Sequence, residues 1–453
     1  MRLLPKTPRG TWLLAGAGWL AGSALLWGIV PLRPRAEWAC AQQVGVGYIC
    51  DRRTIVTYPF TTDGLQHGPL CFREADSGRV VEWFDAGECI DPDMALSPNG
   101  AWIAVFHGRP EPREFQLFET STGRARSDLP LAAESFPQGV CFSADSRWLA
   151  YVQRGYPDEC IRVWDVNADT LSRTLRPVDG LPKFNPGLRL AFGPDGQTLA
   201  AADCAASPQT KNVTRIQLWD WKTARLIGTL QGPASESCGC LQFSPDGGHL
   251  VAEFYRRGPQ PAPNYQVLCW DLNDGRETLR LPAITPVVTP SGLWVRASDP
   301  TAPMQQSMQA WDYAGRRIRK LDRIGGLGPN ARTLAYVSAR PTPVRDWMTA
   351  HGLPWPFPAH QEIGTRLVDV EAEKDIANLP PWQNKSQIAV GAHVFFSPDG
   401  QLYAERIDGG IRIWDVPPRK SLTWFVVGAI LVALPPFLIA RRRVRRLRQG
   451  AVA

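Results

Sequence analysis

The two ends of this chain lack acidic residues. Residues 1–10 hold Arg2, Lys6 and Arg9, and residues 441–453 hold Arg441, Arg442, Arg443, Arg445, Arg446 and Arg448, with no Asp or Glu in either stretch. The formal charge of +7 is therefore an end effect: without these nine, 41 basic side chains face 43 acidic ones. A near-neutral body offers no basic face, so nucleic-acid binding has no footing. Chemical motifs are scarce too. The six histidines, His67, His107, His249, His351, His360 and His393, show no metal spacing. No Gly-x-Ser-x-Gly elbow, phosphate loop or dinucleotide fingerprint occurs. The expectation is a protein with no catalytic residue, no cofactor and no metal, and not an enzyme. The competing expectation is a hydrolase or oxidoreductase that assembles its groups from several repeats.

Cysteines are absent after Cys269, and no Cys-x-x-Cys occurs among the ten present. Their number suits an oxidising compartment if some pair, but spacing does not define connectivity. Cys141 and Cys269 fall on apolar runs, where a thiol acts as a small buried hydrophobe.

Charge is also missing from two long apolar runs, 11–32 and 421–440, each about 20 residues or more and long enough to span a bilayer. With no ionisable side chain inside either, transport or conduction has no foothold. The first could instead be a cleaved signal peptide ending at Ala39–Ala41; an uncleaved anchor is the preferred reading. Flanking Arg and Lys are retained on the cytoplasmic side, so the expected order is a cytoplasmic N-terminus (1–10), a first span (11–32), an extracytoplasmic body (36–418), a second span (421–440) and a basic cytoplasmic tail (441–453). A cytoplasmic body is the alternative topology.

Within the body two signals alternate. The first is an apolar run entering a tight turn: "LSPNG" at Leu96, "FSADS" at Phe142, "FGPDG" at Phe192, "FSPDG" at Phe243, "VTPSG" at Val288, "LGPNA" at Leu327 and "FSPDG" at Phe396, with a weaker "ICDRR" at Ile49. The second is a β-rich run ending in Trp-Asp or its equivalent. Five copies keep the pair: Trp164-Asp165, Trp219-Asp220, Trp270-Asp271, Trp311-Asp312 and Trp414-Asp415. Eight of each signal give about 48 residues per unit, the length of a propeller blade. Each unit reads as four short strands, A to D from the centre outward. Pro presets φ and Gly accepts a positive φ in the A–B turn.

These residues resemble the WD-repeat β-propeller family, specifically the bacterial-type repeats rich in "FSPDG" followed by "WD". The resemblance implies an all-β fold: an eight-bladed propeller of four-stranded antiparallel blades, seven being the alternative, flanked by an N-terminal and a C-terminal transmembrane helix. It also implies scaffolding, with protein partners. The Gly-His dipeptide that opens many family repeats is missing in nearly all units, which leaves its hydrogen-bond network open.

The eighth unit has strands A, B and C but no D. Family members often close the ring with an N-terminal strand, and "EWACAQ" at Glu37–Gln42 is placed to supply it, which removes an open edge. Chain direction then puts the A–B and C–D turns on one face, with both membrane helices leaving from it. The longest loops lie on the other face, where function tends to sit. The insertion at 338–365 is the expected interaction region, with Trp347, Trp355 and Phe357 as aromatic anchors. The competing reading has these rings cover a blade edge.

Overall fold

The computed structural model describes residues 7–39, 44–51, 53–59, 66–89, 94–107, 114–130, 136–154, 160–176, 189–203, 213–234, 236–255, 265–299, 302–329, 331–339, 348, 351, 362–380, 382–383, 394–407 and 410–449. These fall into two units, the body 36–416 and the two chain ends.

The body is a ring of eight antiparallel sheets. In strand order A to D, blade 1 is Val44–Ile49, Thr54–Pro59, Gln66–Glu74 and Val80–Cys89; blade 2 is Met94–Leu96, Trp102–His107, Glu114–Glu119 and Ala125–Asp128. Blade 3 is Phe136–Phe142, Trp148–Arg154, Cys160–Asp165 and Thr170–Leu175; blade 4 is Arg189–Phe192, Thr198–Asp203, Val213–Asp220 and Arg225–Ala234. Blade 5 is Ser237–Phe243, His249–Tyr255, Tyr265–Asp271 and Glu277–Leu281; blade 6 is Ala283–Thr289, Gly292–Asp299, Ala302–Trp311 and Arg317–Leu321. Blade 7 is Gly326–Leu327, Thr333–Ala339, Glu362–Asp369 and Lys374–Asn378, with Trp382–Gln383 also pairing its strand C. Blade 8 takes Val394–Phe396, Leu402–Ile407 and Gly410–Asp415 from the end of the body and Ala36–Ala39 from its start. Eight blades are thus found rather than seven.

Local chemistry explains why each A–B turn forms. In blades 2, 3, 5 and 8 the turn serine accepts the backbone N–H five residues on, as in Trp102 to Ser97 (2.9 Å) and Leu402 to Ser397 (2.9 Å). The same serine donates to the Asp or Asn two residues on, as in Ser97 to Asn99 (2.7 Å) and Ser397 to Asp399 (2.5 Å). One left-handed residue then reverses the chain: Gly100, Ser146, Gly196, Gly247, Ala331 and Gly400 have φ between 52° and 75°. Side-chain turns of this kind compete with continued strand and so end it.

A four-stranded sheet has two apolar faces here, and only neighbouring blades can cover both. Seven buried clusters do so, each drawing on two successive blades. Phe115, Leu117, Leu149, Tyr151 and Trp164 join blades 2 and 3, for example, while Ile49, Ile55, Ala404, Ile411 and Ile413 join blades 1 and 8. The ring is closed by strand D of blade 8, where Ala36 stands opposite Ile413 and Ala39 opposite Gly410. The chain enters the body at Ala36 and leaves it at Val416, both at the turn end of blade 8, where the Val416 N–H donates to Gln401 O at 2.8 Å.

The two chain ends pack as a helical hairpin of α1 (Pro8–Ile29) and α2 (Leu422–Gln449), joined at the base by a two-stranded ribbon of Leu32–Arg33 and Arg419–Lys420. Thr7 caps α1, its hydroxyl accepting the Gly10 N–H. The indole of Trp19 donates to Ala429 O at 2.9 Å, and a Cβ on Gly22 would lie 2.6 Å from Val432. A Cβ on Gly18 would have nothing within 4 Å. Two boundaries differ from the sequence reading. The first helix starts at Pro8 rather than residue 11, because proline suits the first helical turn. The basic tail continues α2, since arginine is a good helix former. Two spans were expected, but among the described residues α2 is the single helix long and apolar enough to cross a membrane. Three glycines and four alanines between Ala15 and Ala24 dilute the apolar character of α1.

Candidate interaction surface

The Trp-Asp pairs divide labour between core and turn. Trp164, Trp219, Trp270 and Trp414 are buried between blades, and Trp311 packs partly buried against the blade 5 cluster. The aspartates build the C–D turns. Asp165 accepts the N–H of Asn167 and Ala168 (both 3.0 Å) and pairs with Arg147 (2.9 Å). Asp220 accepts Lys222 (3.1 Å) and Thr223 (3.2 Å), Asp271 accepts Asn273 (2.8 Å), and Asp312 accepts Arg316 (2.7 Å). Asp415 stands opposite Leu402. Burial works upward on the Asp165 carboxyl, but its donors outweigh that and hold it below the usual range. These carboxylates are occupied by their own turns.

Without the Gly-His dipeptide, the indoles are served differently from blade to blade. Trp219 donates to Gln217 (3.1 Å) and Trp414 to Glu405 (2.9 Å), while the N–H groups of Trp164 and Trp311 find no partner among the described residues. Glu405 is the unusual member. It is 2% exposed between blades 7 and 8, at a strand B position filled by Val105, Tyr151, Ala252 and Val295 in other blades. Thr365 of blade 7 donates to it across the seam at 2.7 Å, and Arg412 lies 3.5 Å away. Burial pushes the Glu405 carboxyl above its ordinary range, opposed by Thr365, Trp414 and Arg412. A polar junction thus sits where other seams are apolar.

On the other side of blade 8, Trp38 latches the closing strand to blade 1. Its indole donates to Ala75 O (3.2 Å), lies under the Arg73 guanidinium (5.6 Å), and covers Gly78, whose φ is 69° and whose Cβ would lie 2.4 Å from the ring. Sequence reasoning placed the Glu37 strand but missed both this latch and the Glu405 seam. The one signal available was a charged residue inside the "LYAERI" strand.

The turn face carries a groove of about 590 Å³ between blades 4 and 5, walled by Pro194, Ile227, Phe243, Pro245 and Leu272. Asp195 and Asp246 at its rim are also turn-bound. Asp195 accepts the Gln197 N–H (2.9 Å) and the Thr198 hydroxyl (2.6 Å), and Asp246 accepts Ser244 (2.5 Å). The groove therefore offers shape and apolar walls more than free charge. On the opposite face the B–C and D–A connections fall largely outside the described residues, and Trp347, Trp355 and Phe357 are among those.

Among the described cysteines, Cys50, Cys71, Cys141, Cys240 and Cys269 are free thiols. Burial pushes Cys269 up to about 11 and raises Cys50 and Cys141 further, so these thiols are poor nucleophiles at neutral pH. A bulge at Gly239 breaks the register between Cys238 and Cys240.

No protein-family description and no curated protein matches the sequence. Among solved structures the chain is similar to one described as a crystal structure of the eukaryotic initiation factor, at 12% identity and a TM-score of 0.51, over 86% of this chain and 89% of that one. It is also similar to a chain of a mitotic checkpoint complex (16% identity, TM-score 0.44, 71% and 89% covered) and to a Kuenenia stuttgartiensis hydrazine synthase (11% identity, TM-score 0.41, 85% and 97% covered). At these identities the likeness is one of fold, and the fold is a β-propeller.

Proposed function

We propose that this protein is a membrane-anchored propeller that binds a protein partner through the connections on the face opposite its tight turns. One observation carries the reading: the chain enters and leaves the ring at the turn end of blade 8, and a helix of spanning length follows directly. Propellers of this type are rigid platforms whose loops do the recognising. In this reading α2 spans the membrane with α1 beside it, both termini are cytoplasmic, and the propeller is extracytoplasmic. Trp347, Trp355 and Phe357 are its proposed anchors, aromatic residues being over-represented where binding energy concentrates.

Protease protection in intact cells tests the topology: an extracytoplasmic propeller is cleaved from outside, and a propeller protected until lysis overturns the reading. A photo-crosslinking residue at 355 or 357, compared with one at Ile227 on an outer strand, tests the surface. The expected result is one discrete cross-linked species from the former positions alone. Equal cross-linking from all positions, or loss of folding in Trp355→Ala with no cross-linked species, overturns it.

A further inference from the structure

We infer that the paired chain ends bind anionic phospholipid headgroups, with the arginine collar at 441–448 as the selective element. The inference rests on the anchoring reading above and adds the lipid class. The observation behind it is an imbalance: residues 1–35 and 417–453 hold 13 Arg and Lys side chains and no Asp or Glu. The unit supplies no Asp or Glu side chain of its own for them, whereas ion pairs are common in the propeller.

Their placement specifies what does. The apolar stretch of α2, Leu422–Ala440, rises about 28 Å, close to the roughly 30 Å thickness of a hydrocarbon core. The collar follows as the same unbroken helix. Arg441, Arg442, Arg445, Arg446 and Arg448 are exposed, and Val444 is the buried member of that turn. At the other end of the apolar stretch, Arg33 and Arg419 stand directly opposite each other in the two-stranded ribbon. Lys420 beside them is already used, reaching the carbonyls of Trp27 and Gly28 at the end of α1.

Two cationic zones separated by an apolar wall one bilayer thick match the two phosphate layers of a membrane. A soluble phosphate suits either zone but leaves the wall between them unexplained. Guanidinium pairs with phosphate in a bidentate geometry, and six arginines within eight residues is a density that favours acidic over zwitterionic lipid.

The test uses the full chain in phosphatidylcholine vesicles carrying trace spin-labelled phosphatidylglycerol or phosphatidylcholine, and measures the motionally restricted fraction of each probe. The expected result is an enrichment of the phosphatidylglycerol probe of about fivefold or more. It falls to parity when Arg441, Arg442, Arg445, Arg446 and Arg448 are all replaced by Gln, and survives when all five become Lys. Circular dichroism confirms that each variant keeps its β-rich spectrum. Equal restriction of both probes by the parent protein, or enrichment that persists in the Gln variant, overturns the inference. So does enrichment abolished by inorganic phosphate but not by sodium chloride of equal ionic strength, which assigns the zones to free phosphate. Alkaline carbonate extraction separates the two readings: release of the protein from its membrane defeats the anchoring itself, whereas retention without lipid preference defeats only the inference.

Discussion

Removing the Trp38 indole should loosen the ring at its junction. In Trp38→Ala the hydrogen bond to Ala75 O is lost, about 1 kcal/mol, and with it the Arg73 stacking, about 0.5–1 kcal/mol. The half-buried ring also gives up its contact over Gly78; at half the effect of deleting a fully buried tryptophan this is about 2 kcal/mol. The total is about 3–4 kcal/mol, acting on a strand of four residues that alone completes blade 8. The assay is urea unfolding of the full chain in detergent, followed by circular dichroism. Trp83→Ala is the control, because that ring is 60% exposed on the outer strand of blade 1 and its loss should cost within about 0.5 kcal/mol. Trp38→Phe should fall between the two, keeping apolar contact without the donor. If Trp38→Ala and Trp83→Ala unfold at the same urea concentration, the latch is not what holds the closing strand.

Other perturbations follow from the same geometry. Ala224 sits at φ 56° in the blade 4 C–D turn, so Ala224→Gly should raise stability by about 1 kcal/mol, read as an upward shift of the urea midpoint. A Cβ on Gly100 would lie 1.6 Å from Cys50 O, on a residue already at φ 72°, so Gly100→Ala should abolish folded protein, measured as loss of the detergent-soluble monodisperse species. For Glu405 the sign is set by its raised carboxyl: the folded state holds that proton more tightly than the unfolded chain, so its contribution to stability falls as pH rises above about 4.3. Glu405→Gln should flatten that part of the pH–stability profile, whereas Glu405→Leu should cost about 1–3 kcal/mol by leaving the Thr365 hydroxyl and the Trp414 indole without their acceptor, Arg412 keeping its pair with Glu37. An unchanged slope in Glu405→Gln would remove Glu405 as the source.

The repeat was legible because its determinants are local. A serine accepting the N–H five residues on, and an aspartate accepting those two and three residues on, leave a motif wherever they occur, and eight copies average out the weak ones. Even "ICDRR" forms its turn, Asp51 accepting Arg53 (2.8 Å) and Thr54 (2.6 Å). The closing strand was legible through the family resemblance, which implies an N-terminal strand where the last unit lacks its fourth member. What could not be read were contacts between blades. Thr365 meets Glu405 across 40 positions, and Trp38 meets Ala75 across 37, and neither pairing has a spacing rule. The N-terminal helix was placed by apolar length, where its glycine and alanine content mattered more. The surface expected to recognise a partner lies in connections whose sequence is informative only through composition.

Closure by a borrowed strand also imposes an order on synthesis. Glu37 emerges from the ribosome long before Arg412, its ion-pair partner 375 positions later. At about 5–20 residues per second the early strand waits roughly 20–75 s for its neighbour. Throughout that interval the blade 1 face bearing Ile49 and Ile55 has no partner sheet. A nascent chain arrested after seven finished blades is therefore still a client for chaperones, and competence to leave them arrives only with the final few dozen residues.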